Sequence, residues 1–456
     1  MTFIGPVVAL IFVVLVAWLL LRNYYPHAVL LVAGLLMLII SYLLGYNLPP
    51  LNSSTGAFGL DLFKYIKESF ASTNAGVGLM IMAIGGFVAY IDHIGASKAL
   101  VEVAIKPLNL LKKSPNAAAA AVIPISQILF IAIPSAAGLS LLLMASIFPL
   151  LVKLGVSRLS AVSVITASTA IGLGPASAIT ASASGIVAKA PINYFVEDQL
   201  PLFIPLSIVL AITYFFVVRY YHKKEMEDGT LQKESKKEDS KVIAPKIYAF
   251  IPVLPILLLI VFSDLNSFLP YSIKLDTTTA MFTSLFIALM LELSRGKGIK
   301  NIFDSFKVFW SGMGNIFKTV VTLIIAADIF SQGLISLNFI GGLLEVSQSF
   351  GFNAIGISIV MTILIFFASM LMGSGNAAFF SFGPLVPEIA AKFAVKSTSI
   401  ILPMNFAASM GRTVSPVAGV LIATAEIAGV TSLQIVKRNL IPLFTTLGVM
   451  LIYHFI

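Results

Sequence analysis

Arg412 is a charged residue in a stretch that is otherwise apolar enough to span a membrane. It stands in the run Ser409-Met410-Gly411-Arg412-Thr413-Val414-Ser415-Pro416. A charge at bilayer depth costs at least about 2.5–3.5 kcal/mol on insertion scales, so it needs a partner. A guanidinium grips a carboxylate through two parallel N–H···O bonds. Arg412 therefore suits a carboxylate substrate, with Thr413 and Ser415 adding hydroxyls beside it. The competing role is structural, with the guanidinium bonded to carbonyls freed where a helix breaks.

Two short small-residue tips could bring backbone close to the same ligand. Gly373-Ser374-Gly375-Asn376-Ala377 joins two apolar runs, and so does Pro134-Ser135-Ala136-Ala137-Gly138. Glycines admit backbone to a ligand, while Ser374 and Asn376 supply side-chain donors and acceptors. Ser135 is the polar side chain of the first tip, and Gly138 gives it room. Ser177, with Thr169 and Ser168, lies near a Gly172-Leu173-Gly174-Pro175 break. Hydroxyls in membrane helices more often bond their own backbone or a neighbouring helix. Asp328, deep in an apolar run, suits a proton carrier or cation ligand, or an inter-helix pair. Asp92 and His93 fall near a helix end and read as interfacial. Gly85 and Gly86 read as packing positions.

Other chemistries are excluded or weak. The chain of 456 residues has no cysteine, so thiolate zinc, iron–sulfur and disulfide chemistry are impossible. Its four histidines have no metal-ligand spacing. Gly172-Leu173-Gly174 lacks the strand a dinucleotide fingerprint needs. No Ser–His, paired-Asp or His–Glu arrangement suggests an enzyme, and no cofactor is expected. The net charge of +9 reflects membrane topology, not nucleic-acid binding.

The elements positioning these residues follow from hydropathy. With 58% hydrophobic and 11% charged residues, the chain reads as an all-α polytopic membrane protein. The apolar run from Ile4 reads as a retained helix, not a signal peptide. Residues 1–221 form a first repeat: scaffold helices over 1–95, a connecting helix at 97–112, a hairpin and broken helix over 115–190, and a last helix at 200–220. Short amphipathic stretches, 61–72 and 300–310, precede the third span of each half. A charged linker, 222–246, follows. Residues 247–456 repeat the series, with scaffold helices over 247–336, a connecting helix at 337–350, a hairpin and broken helix over 354–429 and a last helix at 438–456. Ser135 and Ser374 are 239 residues apart, and Pro175 and Pro416 are 241 apart.

If the tip-bearing pairs are re-entrant hairpins, each half crosses five times and the second half is inverted. With the linker cytoplasmic, 21 of the 29 basic residues fall on that side and six on the other. The positive-inside rule is then obeyed, and both termini are periplasmic. Inverted repeats with broken helices near the midplane are the signature of secondary transporters. Exposed amide donors at half-helix N-termini suit an anion, and carbonyls at the other ends suit a cation.

The run Asn405-Phe406-Ala407-Ala408-Ser409-Met410-Gly411-Arg412-Thr413-Val414-Ser415-Pro416-Val417-Ala418-Gly419, together with the second tip, resembles the anaerobic C4-dicarboxylate carrier family of the DcuC type. Gly85-Gly86-Phe87-Val88-Ala89-Tyr90, His93-Ile94-Gly95-Ala96 and Val436-Lys437-Arg438 support it. The resemblance implies an inner-membrane carrier of succinate, fumarate and malate in anaerobic metabolism, acting by proton-linked symport or by antiport. It implies the ion-transporter superfamily architecture, a homodimer, and a proton in preference to sodium as coupling ion. The residues alone leave open a carrier of another organic anion or amino acid, or a passive anion channel.

Overall fold

The computed structural model describes residues 4–22, 24–111, 114–227, 245–263, 273, 275–296, 298–342, 345 and 353–455. Among them there is no strand, and nine helices are long and apolar enough to cross a membrane. Helix is the expected answer to such a sequence: in lipid every backbone N–H and C=O must be bonded within the protein.

The first half runs α1 (Ile4–Leu21), α2 (Pro26–Leu43), α3 (Phe58–His93), α4 (Ala96–Ala104), α5 (Pro115–Ala132), α6 (Ala136–Lys153), α7 (Arg158–Ala167), α8 (Ala178–Ile186) and α9 (Leu200–Glu227). Proline opens α2 and α5, where its missing N–H costs nothing. The second half runs α10 (Leu254–Val261), α11 (Thr277–Ser294), α12 (Ile299–Ser336), α13 (Ala354–Met372), α14 (Gly375–Phe382), α15 (Val386–Lys392), α16 (Ser397–Thr413), α17 (Gly419–Ala428) and α18 (Ser432–Phe455).

Several boundaries differ from the sequence reading. The amphipathic stretch at 300–310 forms the first turns of α12, and that at 61–72 lies in the first of two helical arms of α3, Phe58–Thr73 and Leu79–His93, which a kink at Gly76 divides. Each long helix carries a π-helical segment near its middle, Asn74–Gly78 in α3 and Phe317–Val321 in α12. The π turn in α12 re-aims the helix without ending it, whereas Gly76, at φ −111°, ψ −114°, leaves the helical region and kinks α3. The connecting stretch at 97–112 is α-helical only through Ala104 and then tightens to a 3-10 helix, Lys106–Leu111. Its counterpart at 337–350 is helical at 339–342, and 343, 344 and 346–350 lie outside the described residues. Helix α9 runs on to Glu227, past the expected start of the linker, and 228–244 are outside the described residues.

The two halves pack into each other rather than side by side. The second part of α3 lies on the first part of α12, at a crossing where Gly85 and Gly312 face each other. A Cβ on Gly85 would fall 2.1 Å from Cγ1 of Ile316, so only glycine permits this approach. The long last helices meet through polar contacts. The Tyr214 hydroxyl of α9 donates to Oδ1 of Asn439 on α18 at 2.6 Å. Arg438 is ion-paired with Glu225, bonded to the Ser160 hydroxyl, and lies 4.1 Å over the Tyr221 ring.

Candidate functional site

Ser135 and Ser374 each close the tip of a helical pair in the same way. Ser135 is the N-cap of α6, and its Oγ accepts the Gly138 amide at 3.1 Å. Ser374 is the N-cap of α14, and its Oγ accepts the Ala377 amide at 3.2 Å. Gly373 precedes it at φ +68°, a left-handed turn that ends α13. One capping bond satisfies one of the four orphan amides at a helix start, so both tips present positive helix ends.

The two broken helices bring two more such ends. The chain between α7 and α8 is interrupted at 168–177, and that between α16 and α17 at 414–418. Ser177 is the N-cap of α8 without using its side chain to cap, and Ala418 is the N-cap of α17. The first interruption crosses α16 closely: a Cβ on Gly172 would sit 2.3 Å from Oγ of Ser409.

All four ends border one cavity of about 490 Å³. Its wall comes from the first tip (Ser135, Ala136), the first break (Gly172, Ala176, Ser177), the second tip (Ser374, Gly375, Asn376) and α16 (Ser409, Arg412), with Val420 from α17. Helices α3 and α12 close the remaining side with Ile81, Gly85, Val88, Asn315 and Ile316, and with Asp92. Of the residues lining it, only Arg412 and Asp92 are charged.

Arg412 lies in the last turn of α16, so the run from Gly411 to Thr413 is still helical and the break begins after it. Its Nη2 donates to the carbonyl of Thr169 at 2.7 Å, just past the end of α7. That placement puts a cation at the negative end of α7. Its Nη1 is buried and has no hydrogen-bond partner among the described residues. An unmet donor on a buried guanidinium is costly, and Arg412 lines a cavity bordered by four positive helix ends. One bond of the guanidinium fork is thus committed to the protein, and a donor set of this kind suits an anion.

The structure brings Arg412, Ser374, Gly375, Asn376, Ser135 and Ser177 to one wall. The other sequence candidates lie elsewhere. Thr413 is buried, with its hydroxyl bonded to the Ser409 carbonyl at 2.9 Å and its own carbonyl accepting from Asn439. Ser415 is fully buried beneath the break, outside the lining. Gly138 is one turn into α6 and bonds Ser135, not the cavity. Asp328 is off the cavity, where its Oδ2 accepts the Ser69 hydroxyl at 2.7 Å and ties α3 to α12. Ser168 and Thr169 bond their own helix through their hydroxyls, to Ile165 and Thr166 carbonyls.

Two features escaped the sequence reading. Asp92, near the end of α3, lines the cavity. The signal was its spacing: Ile81, Gly85, Val88 and Asp92 recur at helical period on one face of α3. The second is Gln199, wholly buried. Its Oε1 accepts the Gly174 amide at 3.2 Å, and its Nε2 donates to Thr180 at 3.0 Å and to Asn405 at 2.8 Å. It fixes the first break against α16 of the other half.

The sequence model of the DcuC family, described as C4-dicarboxylate anaerobic carrier, matches residues 4–456. The anaerobic C4-dicarboxylate transporter DcuC of Escherichia coli K12 is 34% identical over 453 residues, covering 99% of this chain and 96% of that protein. A probable transporter of the same name from Vibrio cholerae is 35% identical over 443 residues, covering 96% and 94%. Among solved structures, the YdaH transporter of Alcanivorax borkumensis superposes with a TM-score of 0.57 at 15% identity, covering 94% of this chain and 98% of that one. That likeness concerns the fold.

Proposed function

The chain belongs to the C4-dicarboxylate anaerobic carrier family, a family of membrane transporters and not of enzymes, and from that premise we propose that it carries succinate, fumarate and malate across the inner membrane. One carboxylate meets the unpartnered Nη1 of Arg412, and the other meets the serine-capped helix ends at the two tips. The observation that carries this reading is the buried, unmet guanidinium nitrogen on a cavity bordered by four helix N-termini. A cavity of about 490 Å³ admits a four-carbon diacid with water to spare.

The transport cycle in this proposal is alternating access, by proton-linked movement or by exchange. Both halves follow one element order, with matching π segments and serine-capped tips, which supports two repeats of inverted topology. Helices α1–α3 and α10–α12 form the scaffold, probed by the glycine crossing at Gly85. The tips and broken helices form the moving part, in an elevator-like motion of a homodimer. Both termini lie in the periplasm and the charged linker in the cytoplasm.

Counterflow of labelled succinate in proteoliposomes, against a panel of other organic anions and amino acids, tests the substrate class. Saturable transport of C4-dicarboxylates, by exchange or with protons, is the expected result. Flux that continues into empty vesicles without saturation would make the protein a channel.

A further inference from the structure

The first tip already faces a carboxylate of the protein's own. Asp92 closes the cavity-facing stripe of α3, and a Cβ on Gly138 would lie 3.9 Å from its Oδ2. The carboxylate therefore stands against the first turn of α6, at the positive end of that helix. This is one of the helix ends that a second substrate carboxylate would need. Arg412 is the other charge on the wall.

We propose that Asp92 is the proton-binding residue of this carrier. A dicarboxylate entering the cavity displaces the Asp92 carboxylate from the first tip, and Asp92 takes a proton from water as the dianion binds. The proposal rests on the dicarboxylate reading of the cavity. Its balance is simple: ionised Asp92, a dianion and one proton give neutral Asp92 and the bound dianion, with no substrate bond made or broken.

Charge drives the linkage. With Asp92 ionised, Arg412 and Asp92 cancel, and a dianion would bring two uncompensated negative charges into the cavity. Protonating Asp92 removes one of them. Charges confined within a partly dry cavity are weakly screened by salt. The groups around Asp92 offer no competing proton carrier on the wall. The first tip, the first break, α12 and α14 contribute neutral lining side chains, and α16 contributes Arg412. Beside Asp92, off the lining, are His93 on α3 and Ser97 and Lys98 on α4.

The test uses the purified full chain and fumarate, whose carboxyls are both ionised above about pH 6. Affinity is measured from pH 6 to pH 8, and proton uptake on binding is followed with an indicator dye in weak buffer. The wild type should take up close to one proton per fumarate and bind about 100-fold more weakly at pH 8 than at pH 6. Asp92→Asn should take up none and bind with the same affinity at pH 6 and at pH 8. Asp92→Glu should restore the uptake. Asp328→Asn, which removes the carboxylate bound to Ser69, should behave as the wild type. Equal uptake by Asp92→Asn and the wild type would overturn the proposal, as would loss of uptake in Asp328→Asn alone. Wild-type binding without uptake or pH dependence overturns it too, even if Asp92→Asn fails to fold, and leaves the substrate reading standing. Failure of the wild type to bind any C4-dicarboxylate overturns that reading and this proposal together.

Discussion

The guanidinium of Arg412 donates to the carbonyl of Thr169, 243 residues earlier in the chain, at 2.7 Å. One bond thus joins the last turn before the second break to the end of the helix before the first. It holds the guanidinium plane still, while the buried Nη1 has no hydrogen-bond partner among the described residues. A residue that is half committed to structure and half open to a ligand loses little entropy on binding.

The crossing of the first break with α16 has no room for a methyl group. Gly172→Ala should lower stability by about 1–3 kcal/mol and slow transport, because the added Cβ meets Oγ of Ser409. Ser409→Ala should relieve most of that loss in the double variant. Thermal unfolding in detergent measures the coupling; strictly additive losses would mean the clash lies elsewhere.

Gln199 makes three hydrogen bonds in a buried setting. Gln199→Leu leaves the Gly174 amide unmet and should cost about 2–4 kcal/mol. Gln199→Glu keeps the acceptor for that amide but loses the donor to Asn405, and should also destabilise. A melting temperature unchanged in Gln199→Leu would show that the network carries no stability.

At the aqueous start of α11, Asp276 caps the helix. Its carboxylate accepts from the Thr279 amide at 3.0 Å and from the Thr279 hydroxyl. Burial works against its ionisation, but the bonds from Thr279 and Thr278 prevail and hold it below the ordinary carboxylate range. The stability it adds is therefore present above the ordinary carboxyl pKa and lost as pH falls through its lowered value. Asp276→Ala should cost about 0.5–1 kcal/mol at pH 7 and nothing once the carboxyl is protonated. Chemical unfolding at pH 7 and at pH 3 separates the two cases.

The charge distribution predicts a cytoplasmic linker. The chain has no native cysteine, so a single Ser235→Cys can be labelled cleanly. An impermeant thiol reagent should reach it only after the cells are opened. Labelling in intact cells would invert the topology.

Motion should leave a covalent trace. Asn376→Cys on the second tip and Val88→Cys on α3 line the same cavity. Cross-linking them should trap one state and stop succinate exchange. Exchange that survives the cross-link would argue against relative movement of tip and scaffold.

How much of this was legible depended on how local the signal was. The serine-capped tips could be read because a cap is written within four residues, as at Ser135 and Gly138. Arg412 could be read because a charge in an apolar run has few uses. Thr413 and Ser415 were grouped with it by sequence adjacency, but the next residue on a helix points about 100° away, and both are buried off the cavity. The role of Gln199 depends on Asn405, 206 residues distant, and no local pattern announces such a pair. At the π segments of α3 and α12 the sequence shows only amphipathic stretches, 61–72 and 300–310, giving way to apolar spans, which marks a boundary but not its geometry.

Succinate affinity in Arg412→Lys, beside the wild type and Arg412→Ala, tests the central claim most directly. Lysine can keep a bond to the Thr169 carbonyl but cannot reproduce the fork. The account predicts binding weakened roughly 100-fold in Arg412→Lys and absent in Arg412→Ala, with both proteins inserted and monodisperse. Wild-type affinity in Arg412→Ala would contradict it.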